Sequence, residues 1–410
     1  MGFVVEQACP QCGVSVELEE TEHLLRCPYC SIQNYIASQD YYRYVLPYKE
    51  EHVEGREIFY VPYFRFRGSV FYCHGREVKY RVIDVSQLAT PLNALPLSLG
   101  MRPQAMKLRF ASTEGPARYL KNYLKLSDAL ERVGRHPTIS EKEQLFHRAY
   151  IGETISIIYL PLAVGDDKVF DAITGRVLAN LPTGNDIFGP AEDRNPSWSV
   201  KFIPTLCPGC GWNLEAESDS MVLTCSNCES AWMVSARGFQ QQKIHVVNGN
   251  EGSLYLPFWR ITASCGELGV ETLADFIRRT NQPMVPGKEA GSTEMNYWIP
   301  AFKVRPKIFL LLSSRLTISQ TKLGPAKTGL PGKDFPVTLP ASEAVQSLKT
   351  ILTNTALNKR DIIPRLPQTR FDVKQVDLYY LPFRESSNDL IQEQTHASIS
   401  RNALEFGRKL

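Results

Sequence analysis

The feature that most constrains this chain is that it is written twice. Cys9-Pro10-Gln11-Cys12 and Cys27-Pro28-Tyr29-Cys30 form a C-x2-C-x14-C-x2-C array, and Cys207-Pro208-Gly209-Cys210 with Cys225-Ser226-Asn227-Cys228 repeats it with the same spacer. Further echoes follow in the same order. Tyr60-Val61-Pro62-Tyr63-Phe64-Arg65 returns as Tyr255-Leu256-Pro257-Phe258-Trp259-Arg260. Arg102-Pro103 returns as Arg305-Pro306, and Tyr159-Leu160-Pro161-Leu162 as Tyr380-Leu381-Pro382-Phe383. A tandem duplication with halves near 1–200 and 201–410 is the economical explanation, and 410 residues exceed what one core usually holds.

The two arrays predict two structural zinc sites, one from Cys9, Cys12, Cys27 and Cys30, the other from Cys207, Cys210, Cys225 and Cys228. Zinc takes four tetrahedral soft ligands, and two tight CxxC turns brought together by a hairpin provide them. A redox reading suits a single CxxC pair better than four at matched spacing. Because every ligand is a protein thiolate, no coordination position is left to activate water, so these sites are expected to hold shape. A ribbon of this size cannot bury a sufficient core, and the metal supplies folding energy. The expected order is zinc ribbon 1–36, β-rich domain 37–182, linker 183–200, zinc ribbon 201–236 and β-rich domain 237–410.

Composition narrows the class. Hydrophobic content of 43% with 22% charged residues is that of a globular protein. Two divalent ions, each in four thiolates, would move the formal charge of +3 to about −1, so charge does not call for nucleic acid. Eight of the ten cysteines lie in CxxC pairs and no signal peptide opens the chain, which fits metal-bound thiolates in a reducing cytoplasm. The longest apolar runs, around Ile155–Val164 and Ile308–Leu312, fall short of the ~20 residues of a membrane-spanning helix.

Strands are expected over Tyr41–Tyr48, Ile58–Arg67, Val70–Cys73 and Val78–Val82, and in the second half over Lys243–Val247, Leu254–Ile261 and Leu268–Glu271. Ile155–Val164 and Val169–Ile173 read as a hairpin turning at Gly165–Lys168, and Val376–Arg384 opens the matching block. Helices are expected over Arg118–Leu126, Ser127–Val133, Thr272–Arg279 and Ser342–Thr353, with a capping box at Ser140–Glu143 opening one through Tyr150. Leu323–Pro336, rich in glycine and proline, reads as a long mobile loop.

The candidate binding surface comprises Tyr63, Phe64, Arg65, Arg67, Lys79, Arg81, Trp259 and Arg260. Alternation in Phe64-Arg65-Phe66-Arg67 places aromatics on one sheet face and arginines on the other. Aromatic and basic strands of this kind suit nucleic acid. Glu50, Glu51, Glu54, Glu57 and Glu77 accompany them, which favours a solvated sheet face. Cys73 and Cys265 read as buried thiols and His74 as a turn residue. No HExxH, GxSxG or GxGxxG pattern occurs; Gly324–Gly329 has the outer glycines of a P-loop but Leu330 where lysine is required, and Asp166-Asp167 reads as a turn.

The Cys-Pro-x-Cys pairs, the approach Tyr44-Val45-Leu46-Pro47-Tyr48-Lys49 and the blocks Tyr60–Phe64 and Tyr255–Trp259 resemble a group of bacterial zinc-ribbon proteins of the transcription-factor-B or primosomal type. Some members are encoded beside phage-shock-protein-A-like membrane-stress proteins. The resemblance implies a zinc-binding adaptor, covers about the first 80 residues of each half, and departs from the family in the duplication and in the lack of a membrane segment. The expected protein is α+β, mainly β, in two tandem pseudo-repeats, each a four-cysteine zinc ribbon followed by a β-rich domain with a few helices. Its expected role is a non-enzymatic scaffold or adaptor for other proteins, with indirect membrane association; the alternative is a nucleic-acid-binding accessory protein.

Overall fold

The structure, a computed structural model, describes residues 2–92, 95–112, 117–134, 144–180, 198–235, 238–280 and 285–410. It is mainly β, with a four-cysteine group in the N-terminal part of each half. In the first ribbon β1 (Val4–Ala8) pairs with β2 (Ser15–Glu19) and β3 (Leu24–Arg26) with β4 (Gln33–Ala37), each hairpin carrying a CxxC turn at its tip. There follow β5 (Tyr42–Val45), α1 (Glu50–Val53), β6 (Glu57–His74), β7 (Glu77–Leu88), α2 (Arg102–Ala105), β8 (Lys107–Phe110), β9 (Arg118–Tyr119) and α3 (Leu126–Val133). The half closes with β10 (Leu145–Gly165), β11 (Lys168–Asp171) and β12 (Val177–Asn180). Asp166 and Asp167, both at φ 53°, make the β10–β11 turn as expected.

The second half opens with β13 (Lys201–Pro204) and continues through the ribbon strands β14 (Val222–Cys225), β15 (Ser230–Ser235) and β16 (Gly238–Gln241). Next come β17 (Ile244–Val247), β18 (Leu254–Ser264), α4 (Leu273–Arg279), β19 (Asn296–Pro300), α5 (Pro306–Ile318) and β20 (Ala326–Thr328). After α6 (Ala341–Gln346), α7 (Leu348–Thr355) and α8 (Lys359–Ile362), the chain ends in β21 (Asp372–Ser386), β22 (Asp389–Gln392), β23 (Ala397–Ser400) and α9 (Arg401–Arg408).

The duplication extends to topology. In order, β5, β6, β7, α2, β8, β10, β11 and β12 correspond to β17, β18, β19, α5, β20, β21, β22 and β23. β5 runs parallel to β10 with Val45 opposite Tyr159, and β17 runs parallel to β21 with Val246 opposite Tyr380. β8 lies antiparallel on β5 as β20 does on β17. In the second half the two Tyr-x-Pro motifs face each other across one ladder, Tyr255 opposite Pro382, Leu256 opposite Leu381 and Pro257 opposite Tyr380. Proline contributes no ladder donor, but its carbonyl still accepts. Ala89 N–H donates to Pro62 O, and Ala301 N–H to Pro257 O, both at 3.0 Å, each from just beyond the strand that flanks the motif.

Several expected elements take other forms. Leu145–Tyr150 belongs to strand β10, not to a helix; Ser140–Glu143 lies outside the described residues, as does 183–197 of the expected linker. Arg118–Tyr119 pairs in parallel with Phe59 and Tyr60 of β6 instead of opening a helix. Gly266–Leu268 is a single tight turn, closed by the Cys265–Val270 bridge. The Leu323–Pro336 stretch contains β20, and Ser342–Thr353 divides between α6 and α7.

The described residues group into two compact units, the first from 1–67, 83–135 and 154–205, the second from 68–82, 136–153 and 206–410. Segments 68–82 and 144–153, within the stretch expected as the first β-rich domain, thus group with the second unit. The strands explain this: β6 has 18 residues against 11 in β18, and β10 has 21 against 15 in β21. In the second unit this extension carries Phe71, Cys73, Ala149 and Ile151 into the apolar core, with the Phe71 ring 5.7 Å from that of Phe309 on α5.

The extension is pinned through a buried carboxylate. Glu343 of α6 accepts from Gly152 N–H at 2.5 Å and Glu153 N–H at 3.2 Å. Burial pushes the Glu343 carboxyl up to about 7, and burial followed by the Glu343 charge pushes Glu153 up to about 8, with Lys303 opposing both. The ordinary value is 4.5 for both, so above that pH the folded unit binds more protons than the unfolded chain. This contribution is therefore fully present below pH 4.5 and lost as pH rises to about 8. Glu153→Gln is expected to flatten the fall in urea midpoint over that window; an unchanged slope would show that the pair is uncoupled from folding.

In the first unit the arginines expected on a solvated face are inside. The side chain of Glu20, 1% exposed, accepts from Arg65 Nε at 2.9 Å and Arg67 Nη1 at 3.2 Å, and Asp84 of β7 takes Arg65 Nη1 at 2.5 Å. Removing one partner from a buried network leaves an uncompensated charge. Glu20→Ala is expected to cost about 3–5 kcal/mol in urea unfolding of the first unit.

Candidate metal centres

Each CxxC turn requires a left-handed residue immediately after its second cysteine, where the chain doubles back. Gly13 (φ 75°), Ser31 (φ 58°), Gly211 (φ 76°) and Glu229 (φ 52°) fill the four positions. At the first three, the N–H donates back to the first cysteine's carbonyl: Gly13 to Cys9 at 2.9 Å, Ser31 to Cys27 at 3.0 Å and Gly211 to Cys207 at 2.8 Å. Cys9 N–H closes on Val14 O at 2.8 Å, Cys27 N–H on Ile32 O at 3.0 Å and Cys207 N–H on Trp212 O at 2.7 Å. In every pair the first cysteine is buried and the second exposed.

The hairpins bring the sulfurs together. Cys9–Cys30 and Cys12–Cys27 are 3.7 and 3.5 Å apart; Cys207–Cys228 and Cys210–Cys225 are 3.6 and 3.5 Å apart. All ligand atoms of each group lie within 4.8 Å of one another. Four sulfurs at about 2.3 Å from a tetrahedral ion sit about 3.8 Å apart, so both groups fit a metal, whereas a disulfide needs about 2.05 Å. Backbone N–H groups of Cys30 and Tyr29 favour the thiolate at Cys27 and hold it at about 6. In the second ribbon Ser230 Oγ lies 3.0 Å from Cys228 Sγ and accepts from Trp232 Nε1 at 2.8 Å, so its hydroxyl hydrogen is free to face a thiolate. Ile32 occupies the corresponding place in the first ribbon. Four thiolates around one ion would leave no coordination position open at either site.

The candidate binding surface separates on folding. Tyr63, Phe64, Arg65, Arg67 and Trp259 are buried and offer no contact area. Trp259 Nε1 donates to Leu339 O at 2.8 Å, and the arginines are held by Glu20. Arg260, partly exposed, pairs with Asp377 at 2.9 Å and lies 4.5 Å above the Tyr379 ring. Lys79 and Arg81 on β7 are also partly exposed. His74 is buried at a strand end and not on a turn. Cys73 and Cys265 are buried, burial pushing the Cys73 thiol up to about 12, far from a nucleophile's range. Tyr29 and Trp212, on the metal-binding turns, are 77% and 57% exposed and were not among the expected surface residues; their place inside or beside a CxxC turn was the available signal. No helix among the described residues is long and apolar enough to cross a membrane.

Comparison with protein-family models, curated proteins and solved structures finds no match for the chain.

Cys27→Ser is expected to halve the metal bound per chain and lower the unfolding temperature of the first unit by roughly 10 °C or more. Metal analysis and calorimetry on the full chain check this; unchanged metal content would overturn the four-ligand assignment.

Proposed function

We propose that the protein is a non-catalytic, two-zinc scaffold that holds other proteins together. Zinc is favoured because four thiolates in tight turns suit a tetrahedral ion without redox chemistry. The observation that carries the scaffold reading is the fate of the basic residues: Arg65 and Arg67, which would have formed a cationic strand face, are neutralised internally by Glu20 and Asp84. A nucleic-acid groove needs such side chains facing outward. What the ribbons present instead includes Tyr29, Leu206 and Trp212, exposed amphipathic and apolar groups of the kind that anchor protein contacts.

Recovery of the protein from its native cells, with and without nuclease, tests the proposal. Stoichiometric protein partners that survive nuclease are expected. Partners lost with nuclease, or bound nucleic acid with a steep salt dependence, would overturn it in favour of nucleic-acid binding. Metal analysis is expected to give two zinc ions per chain and no visible thiolate-to-iron absorption.

A further inference from the structure

The two halves treat one sheet edge differently. In the first half β8 is covered on its outer side by ribbon strand β1, which runs parallel to it with Val4 opposite Lys107 and Val5 opposite Leu108. Glu6, next along β1, reaches Arg109 of β8 at 3.0 Å. The second-half counterpart of β8 is β20, and the shared register on β5 and β17 places Lys327 where the first half has Arg109. The counterpart of β1 is β13, just before the second cysteine array. β13 pairs antiparallel with β4 instead.

As a result β20 ends its sheet among the described residues, in the order β19-β18-β21-β17-β20, and all three of its residues are exposed. Lys327 has no carboxylate partner among the described residues. We infer that the outer edge of β20 receives an extended segment of a partner protein, added parallel to it as β1 is added to β8, with an acidic side chain against Lys327. The main chain of an unpaired edge strand recognises an extended peptide through ladder hydrogen bonds, and side-chain pairing sets which one. Charge specifies an acidic residue after a β-branched pair, the pattern Val4-Val5-Glu6. It also argues against a second copy's β13, in which Pro204 stands where β1 has Glu6 and Lys201 adds positive charge. Pro325, which cannot donate, keeps the ladder short and the contact reversible.

This inference rests on the scaffold reading, yet the two fail separately. The probe is a fluorescein-labelled peptide, Gly-Phe-Val-Val-Glu-Gln-Ala, titrated into the full metal-loaded chain and followed by anisotropy, beside a version with Lys in place of Glu. Saturable binding is expected, weakened about fivefold or more by Lys327→Glu, with the preference between the two peptides reversed in that variant. No saturable binding, or binding indifferent to Lys327→Glu, overturns the inference, as does self-association of the chain that this substitution abolishes. If wild-type and Lys327→Glu proteins recover the same partners from native cells, the scaffold reading stands without this edge. If neither recovers any protein, the scaffold reading itself fails.

Discussion

The ladder between β18 and β21 is what the second half depends on. It runs from Leu254 opposite Phe383 to Ser264 opposite Asp372, and both of its strands have other strands on their far sides. Two Tyr-x-Pro motifs meet at one end of it, at pairs whose backbone groups face away from the ladder: Pro257 turns its carbonyl to Ala301, and Tyr255, opposite Pro382, bonds outward with Lys333 and Phe335. Both motifs can therefore carry proline without breaking the ladder, the carbonyl of Pro257 being taken by Ala301 from outside it, as Pro62 is by Ala89 in the first half. Once β18 and β21 are fixed, β17 has only one free edge on which to lie, and β19 only one on the other side. The first half uses the same parts with the central strands drawn out.

Divergence between the repeats is concentrated in what was added to this common frame. The first half lengthened β6 and β10; the second inserted α6, α7 and α8 between β20 and β21. In the second unit these additions pack on each other, and the polar groups that come with them must be satisfied internally. Glu343 caps two backbone N–H groups of the extension, and its proximity to Glu153 makes the arrangement costly when both carboxyls are charged. In the first unit Glu20 does the corresponding task for Arg65 and Arg67. Such networks stabilise little overall relative to apolar packing, but they penalise any register that leaves one member alone.

The ribbons obey a more local rule. A CxxC turn is set by its own few residues, and a left-handed position follows the second cysteine whether that residue is Gly13, Ser31, Gly211 or Glu229. Serine and glutamate accept some backbone strain there, at φ 58° and 52°. The strand leading into each array is not bound by that rule: β1 stays paired with β2 and adds β8 on its other edge, whereas β13 pairs with β4.

The sequence by itself determined what is short-range or repeated. Cysteine spacing specified both four-sulfur groups, aromatic and β-branched runs specified the strands around Tyr60, Tyr159, Tyr255 and Tyr380, and the helical spacing of Leu273, Phe276 and Ile277 specified α4. Tertiary structure decided what depends on distant partners. Arg65 alternates like a solvent-facing residue, yet it is buried because Glu20, 45 residues away, meets it. Leu145–Tyr150 became strand because the adjoining β10 continued through it, and Ile308–Leu312 became the middle of α5 once Pro306 supplied a helix start. Whether β1 or β13 would cover a neighbouring edge was likewise invisible, since strand pairing is a competition between edges that sequence alternation does not rank.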